Sequence, residues 1–161
     1  MVTMSESGRN PAGEALTDLL LSLFKANNLA LTWGDRLVAR LGLTSARWQI
    51  LGAIVFAARP QPVAWLARDL GANRQNVQRI VNDLAQDGLV VFEPNPHHRR
   101  AQHVVLTAKG RQTYDSAISA YDPRVNDLAA SLDLTDIEAA NRVMVALREK
   151  LERYNNDGEK T

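Results

Sequence analysis

The chain has 161 residues, a formal net charge of +1 and a hydrophobic share of 45%, which suits one soluble globular domain with its own core. It has no cysteine, so disulfides, thiolate sensing and cysteine-based metal sites are excluded. No apolar run reaches the roughly 18 residues of a membrane span, and the polar start MVTMSESGRNPAGE lacks the apolar stretch of a signal peptide; a cytoplasmic protein without a membrane partner is expected.

Residues 1–12 have no apolar pattern and read as a disordered tail, 13–156 as a single domain, and 157–161 as a second polar tail. From Glu14 to Leu41, apolar residues recur every three or four positions, among them Leu16, Leu19, Leu20, Leu23, Phe24, Leu37 and Val38, which predicts a long helix ended by Gly42. Thr44 can cap a second helix, Ser45 to about Ala58, with Trp48, Leu51, Ile54 and Val55 inward. Arg59-Pro60-Gln61-Pro62 punctuates the chain there, since proline disfavours helix at the residue before it.

Residues 61–107 carry the most specific pattern. Pro62 to Leu70 reads as a short helix, with Pro62 in its first turn and Val63, Leu66, Ala67 and Leu70 as its apolar stripe. Gly71 supplies a turn free of any Cβ penalty. Asn73 can cap the next helix, Arg74 to Gln86, whose Val77, Ile80, Val81 and Leu84 face inward. After Asp87-Gly88, the runs Leu89–Phe92 and His103–Leu106 read as paired strands around the loop EPNPHHRRAQ.

The outward part of the 74–86 helix holds Arg74, Gln75, Asn76, Gln78 and Arg79, with no acid between Asn73 and Asn82. Arginine chelates guanine O6 and N7, and glutamine or asparagine chelates adenine N6 and N7. An ordinary solvated helix face would carry glutamate–lysine pairs instead. The hairpin tip His97-His98-Arg99-Arg100 is suited to phosphates or a narrow minor groove. Together these read as a winged helix-turn-helix that binds double-stranded DNA.

Thr107 can cap a further helix through Tyr114, Ile118 and Tyr121. Asp122-Pro123 predicts a kink or break, with Asp122 as a new cap. A last helix is expected after Thr135, where Ile137, Ala140, Met144, Leu147, Leu151 and Tyr154 form a heptad-like seam. Charge is unevenly spread. Residues 59–111 carry eight basic and four acidic side chains, and residues 112–161 six basic and ten acidic, so the reader is locally cationic.

The order of elements and the runs Leu43-Thr44 with Trp48, LARDLG at 66–71, NRQNVQRIVNDLAQDGLV at 73–90 and NPHHRRAQHVVLTAKG at 95–110 resemble the multiple-antibiotic-resistance regulator (MarR) family. The resemblance covers most of residues 14–154. It implies a mainly α fold with a small two- or three-stranded β wing, a winged helix-turn-helix core, and N- and C-terminal dimerisation helices at 14–41 and 108–154. It also implies a homodimer on a pseudo-palindromic operator. Family wings usually carry Asp-x-Arg, with the arginine in the minor groove and the aspartate holding it. Here Arg100 stands at the arginine position and His98 at the aspartate position.

The expected DNA-binding residues are Asn73, Arg74, Gln75, Asn76, Gln78, Arg79, Arg99 and Arg100. His97 and His98 are expected to contact phosphate or water, or to tune binding by pH, since histidine titrates near neutrality. No metal is expected, because a closed site needs four ligands in fixed geometry and only Glu93 offers a nearby carboxylate. No nucleophile elbow or phosphate loop is present, so neither enzyme activity nor a cofactor is expected. Family members often bind small aromatic or lipophilic effectors, and Trp33, Arg47, Trp48 and Trp65 are the candidate lining residues, weighed against plain core packing. The reading is a dimeric, sequence-specific repressor released by such an effector. Its alternatives are an architectural DNA binder and a winged-helix protein-interaction module.

Overall fold

The computed structural model describes residues 8–158. The chain divides into two compact units, one ending at Ala120 and the other beginning at Tyr121.

In the first unit, α1 runs Pro11–Val38. It starts three residues ahead of the expected Glu14, because Asn10 caps it by accepting from the Gly13 amide at 2.8 Å and Pro11 occupies the first turn. Residues 1–7 of the stretch read as a tail lie outside the described residues; Pro11 and Ala12 are helical. A 3-10 turn over Ala39–Leu41 leads to Gly42 at φ 70. Helix α2 spans Ser45–Phe56, with Thr44 as its cap. It buries Leu51 as expected, and also Ile50.

Strand β1, Gln61–Pro62, precedes α3, Val63–Asp69. Pro62 was expected inside the helix and is instead extended, at ψ 160. The sheet explains this. Its order is β1-β3-β2, and Gln61 and Pro62 pair with Val104 and His103 of β3. Proline is tolerated on such an edge strand, where a missing donor costs least. Helix α4 spans Arg74–Gln86 and buries Val77, Ile80, Val81 and Leu84, the four residues expected. Strands β2, Val90–Glu93, and β3, His103–Leu106, form the wing, with Val90 opposite Leu106 and Glu93 opposite His103.

Helix α5 spans Ala108–Ala129. The Thr107 hydroxyl accepts from the Gly110 amide at 2.9 Å and donates to the Gly88 carbonyl at 2.7 Å, tying the start of α5 to the turn before β2. A kink or break was expected at Pro123, with Asp122 as a new cap; no break occurs, since α5 runs through Pro123 and Asp122 lies inside the helix. An interior proline loses its own backbone donor and crowds the carbonyl one turn back, yet the helix spans both sides of it, Ala108–Ala129.

The second unit holds the end of α5 and α6, Leu134–Gly158. Asp133 caps α6, accepting from the amides of Thr135 at 2.8 Å and Asp136 at 3.3 Å. The helix occupies residues 157 and 158, which had read as tail; 159–161 lie outside the described residues. In the heptad seam, Met144 and Leu147 are half-buried, while Ile137, Ala140, Leu151 and Tyr154 are exposed. Leu134 is 68% and Tyr154 77% exposed. In the first unit, Phe24 and Leu29 of α1 are 64% and 63% exposed. Among the described residues no helix is long and apolar enough to cross a membrane.

Candidate nucleic-acid interface

The turn before α4 sets the geometry. Gly71 adopts φ 61, a region that disfavours any Cβ. The Asn73 side chain then accepts from the amides of Gln75 at 2.9 Å and Asn76 at 3.2 Å. Its carboxamide oxygen is therefore committed to capping the helix. The apolar face of α4 is sealed in the core, so the opposite face must point outward.

On that outward face Gln75 and Asn76 are exposed. The Arg79 guanidinium lies along the helix, donating to Asn76 Oδ1 at 2.9 Å and pairing with Asp83 at 3.6 Å. Gln78 donates to Asn82 Oδ1 at 2.9 Å. Arg74, Gln78 and Asn82 line one wall of a cleft of about 240 Å³; Arg100, Ala101 and Gln102 of the wing line the facing wall. Pro62, Val63, Ala64 and Phe92 complete it. The cleft thus joins the early turns of α4 to the wing through two arginines and three amides, with no acid in its lining. Asn82 and Gln102 were missed in the sequence. Both had a signal: Asn82 is one turn beyond Gln78, and Gln102 is a polar residue directly between the cationic tip and strand β3.

The wing tip is braced from within. Asn95 accepts from the His97 amide at 3.0 Å and donates to the Ala101 carbonyl at 2.9 Å. The His98 amide donates to the Asn95 carbonyl at 3.2 Å. Arg99 and Arg100 are exposed, and among the described residues no carboxylate pairs with either. His97, His98 and His103 line a different pocket, on the other side of the wing arm, together with Trp65.

The four residues expected around an effector are not gathered by that pocket. Arg47 pairs with Asp87 and donates to the Gly42 carbonyl at 3.0 Å, so it clamps the start of α2 to the end of α4. Trp48 packs against the core, and Trp33 is half-buried in α1. Trp65 lines the pocket and is flanked by Arg59 and Arg68, whose guanidinium carbons lie 5.3 and 5.6 Å from its ring centre.

These features define a winged-helix reader. The MarR family model matches residues 41–101, the stretch that holds every residue lining the cleft except Gln102, together with strand β2 and the wing tip. A Mycobacterium tuberculosis protein, Rv2011c, is 34% identical over 139 residues, 84% of this chain and 96% of its own length. The transcriptional activatory protein BadR of Rhodopseudomonas palustris is 32% identical over 104 residues, 63% of this chain and 59% of BadR. The crystal structure of the M. tuberculosis regulator MosR in complex with DNA shares the fold, with a TM-score of 0.70 at 23% identity, over 83% of this chain and 96% of that one. The chain belongs to the MarR family of winged-helix transcriptional regulators.

Proposed function

We propose that the chain is a homodimeric, sequence-specific repressor. In this reading α4 enters the major groove of a pseudo-palindromic operator, and the wing engages the adjacent phosphates or minor groove. The observation that carries it is the acid-free cleft in which Arg74 and Gln78 of α4 face Arg100 and Gln102 of the wing. Base-edge chelation needs the first pair, and backbone or minor-groove contact suits the second. The likeness to MosR, crystallised with DNA, supports the same docking.

Dimerisation rests on apolar faces that the single chain leaves open. Leu21, Phe24 and Leu29 on α1, and Ile137, Leu151 and Tyr154 on α6, are all exposed. Contiguous exposed apolar surface marks an interaction site, and a two-fold dimer places two readers about one DNA turn apart. We assign the reader to 61–107 and the dimerisation helices to 14–41 and 108–154. A small-molecule effector releases the operator in this scheme.

Genomic pull-down of bound DNA, followed by footprinting at moderate salt, tests the reading. The expected result is a short inverted repeat protected over two half-sites. Uniform protection without sequence preference refutes it in favour of an architectural binder. A promoter reporter then gives the sign: transcription should rise when the gene is deleted, and a fall would align the chain with the activator BadR.

A further inference from the structure

The wing tip from Asn95 to Ala101 is two turns in succession. The His98 amide donates to the Asn95 carbonyl at 3.2 Å, and the Ala101 amide donates to the His98 carbonyl at 3.0 Å. Pro96 follows Asn95 in the first turn, a place its fixed φ suits. Arg99 and Arg100 are the central pair of the second. One side chain spans both turns. The Asn95 carboxamide accepts from the His97 amide at 3.0 Å within the first and donates to the Ala101 carbonyl at 2.9 Å at the end of the second. Asn95 is half-buried, whereas the other residues over 93–100 are exposed. We propose that Asn95 is the positioning residue of the wing: it holds the backbone that presents Arg100 to DNA, in a tip where, among the described residues, no carboxylate pairs with that guanidinium.

The two bonds need one acceptor and one donor on the same short side chain. Asparagine supplies both, aspartate only the acceptor, and alanine neither. Pro94 and Pro96 stiffen the chain on either side: each ring fixes its own φ, and the residue before a proline is held extended. With its entry fixed and both turns closed, the tip leaves the backbone at Arg100 little freedom. Arg100, Ala101 and Gln102 form the wing wall of the cleft that faces Arg74. The Asn95–Ala101 bond thus ends one residue past Arg100, inside that wall. Fixing a loop in its bound form removes an ordering cost from binding, so the bond acts on DNA affinity through Arg100. A guanidinium paired with a carboxylate spends donors on that partner. One placed through its backbone keeps all five N–H groups for phosphates or the minor groove. The proposal rests on the reading above that the wing engages DNA.

Titrations of the full chain against a duplex carrying the operator recovered by genomic pull-down test this, using Asn95→Ala, Arg100→Ala and the double variant over a range of salt. Asn95→Ala should weaken binding about tenfold and lower the salt slope by about one charge, with the base consensus read by α4 unchanged. In the Arg100→Ala background the same change should cost less than about twofold, because no guanidinium is left to place. Amide exchange followed by NMR on the free chain gives the structural half. The His97 and Ala101 amides should exchange faster in Asn95→Ala, while those of α4 keep their protection and so report an intact fold. Wild-type affinity and salt slope in Asn95→Ala, beside a weakened Arg100→Ala, overturn the proposal. A loss that persists undiminished in the double variant does the same, since it marks a purely structural role, and so does unchanged exchange at the tip. Normal binding by Arg100→Ala is a different failure: it takes the wing off the DNA, and the proposal falls with that reading.

Discussion

At the scale of single residues, the two arginines of α4 are not equivalent. Arg74 faces the wing across the cleft, while Arg79 is already engaged with Asn76 and Asp83. If Arg74 chelates a base, Arg74→Ala should cost about 1–3 kcal/mol of operator affinity and relax specificity at one position. Selection of bound sequences from a random pool checks this, and an unchanged consensus would refute the assignment. Among the described residues no carboxylate pairs with Arg100, and His98 stands where family wings carry aspartate. Arg100→Ala should weaken binding across all sequences and lower the salt slope by about one charge; normal binding would show that the wing does not touch DNA. Tyr114 is a residue of the core. Burial is the main cause holding its phenol above the ordinary tyrosine range, with Arg111 pulling the other way and Asp115 adding to the rise. A raised folded pKa means that stability is intact below about pH 10 and declines as the pH climbs beyond it. Tyr114→Phe should flatten that alkaline limb of a denaturation series.

At the scale of elements, local signals served well wherever they were self-sufficient. The 3.6-residue period of α4 gave its buried face residue for residue, and Asn73 and Thr107 cap the helices that their side chains announced. Asn73→Ala should cost about 1 kcal/mol in urea unfolding, as loss of a cap usually does. Pro62 and Pro123 went the other way. The first pairs with a strand some forty residues on, and the second is carried within a continuous helix. Neither outcome follows from proline's own preference, because each depends on what surrounds it. Gly110 shows the same limit. A Cβ there would lie 1.9 Å from the Leu89 carbonyl oxygen, a clash between α5 and the residue before β2 that no local pattern reveals. Gly110→Ala should therefore destabilise by about 1–3 kcal/mol or more, and thermal unfolding measures it.

At the scale of the whole molecule, the proposed dimer would cover apolar faces that one chain leaves exposed, Phe24 and Leu29 on α1 and Leu151 and Tyr154 on α6 among them. Leu147→Asp places a charge in the α6 seam, half-buried already in the single chain. Sedimentation should show monomers, and operator affinity should fall to that of a single half-site. A folded monomer of full affinity would remove the dimer from the account. The charge partition belongs here too: eight basic against four acidic side chains over residues 59–111, in a chain whose net charge is only +1. In the proposed dimer, two such readers should make binding steeply salt-dependent.

The sequence by itself determined the reader. Helical period, capping residues, turn glycines and the amide-rich, acid-free face of α4 are short-range features, readable from neighbours a few positions apart. Tertiary structure alone decided what meets across space. It placed Pro62 in a third strand, closed the cleft between Arg74 and Arg100, engaged Arg47 with Asp87, and brought Arg59, Arg68 and three histidines around Trp65. The physical reason is that such contacts join residues tens of positions apart, and their geometry is fixed by core packing rather than by any local preference.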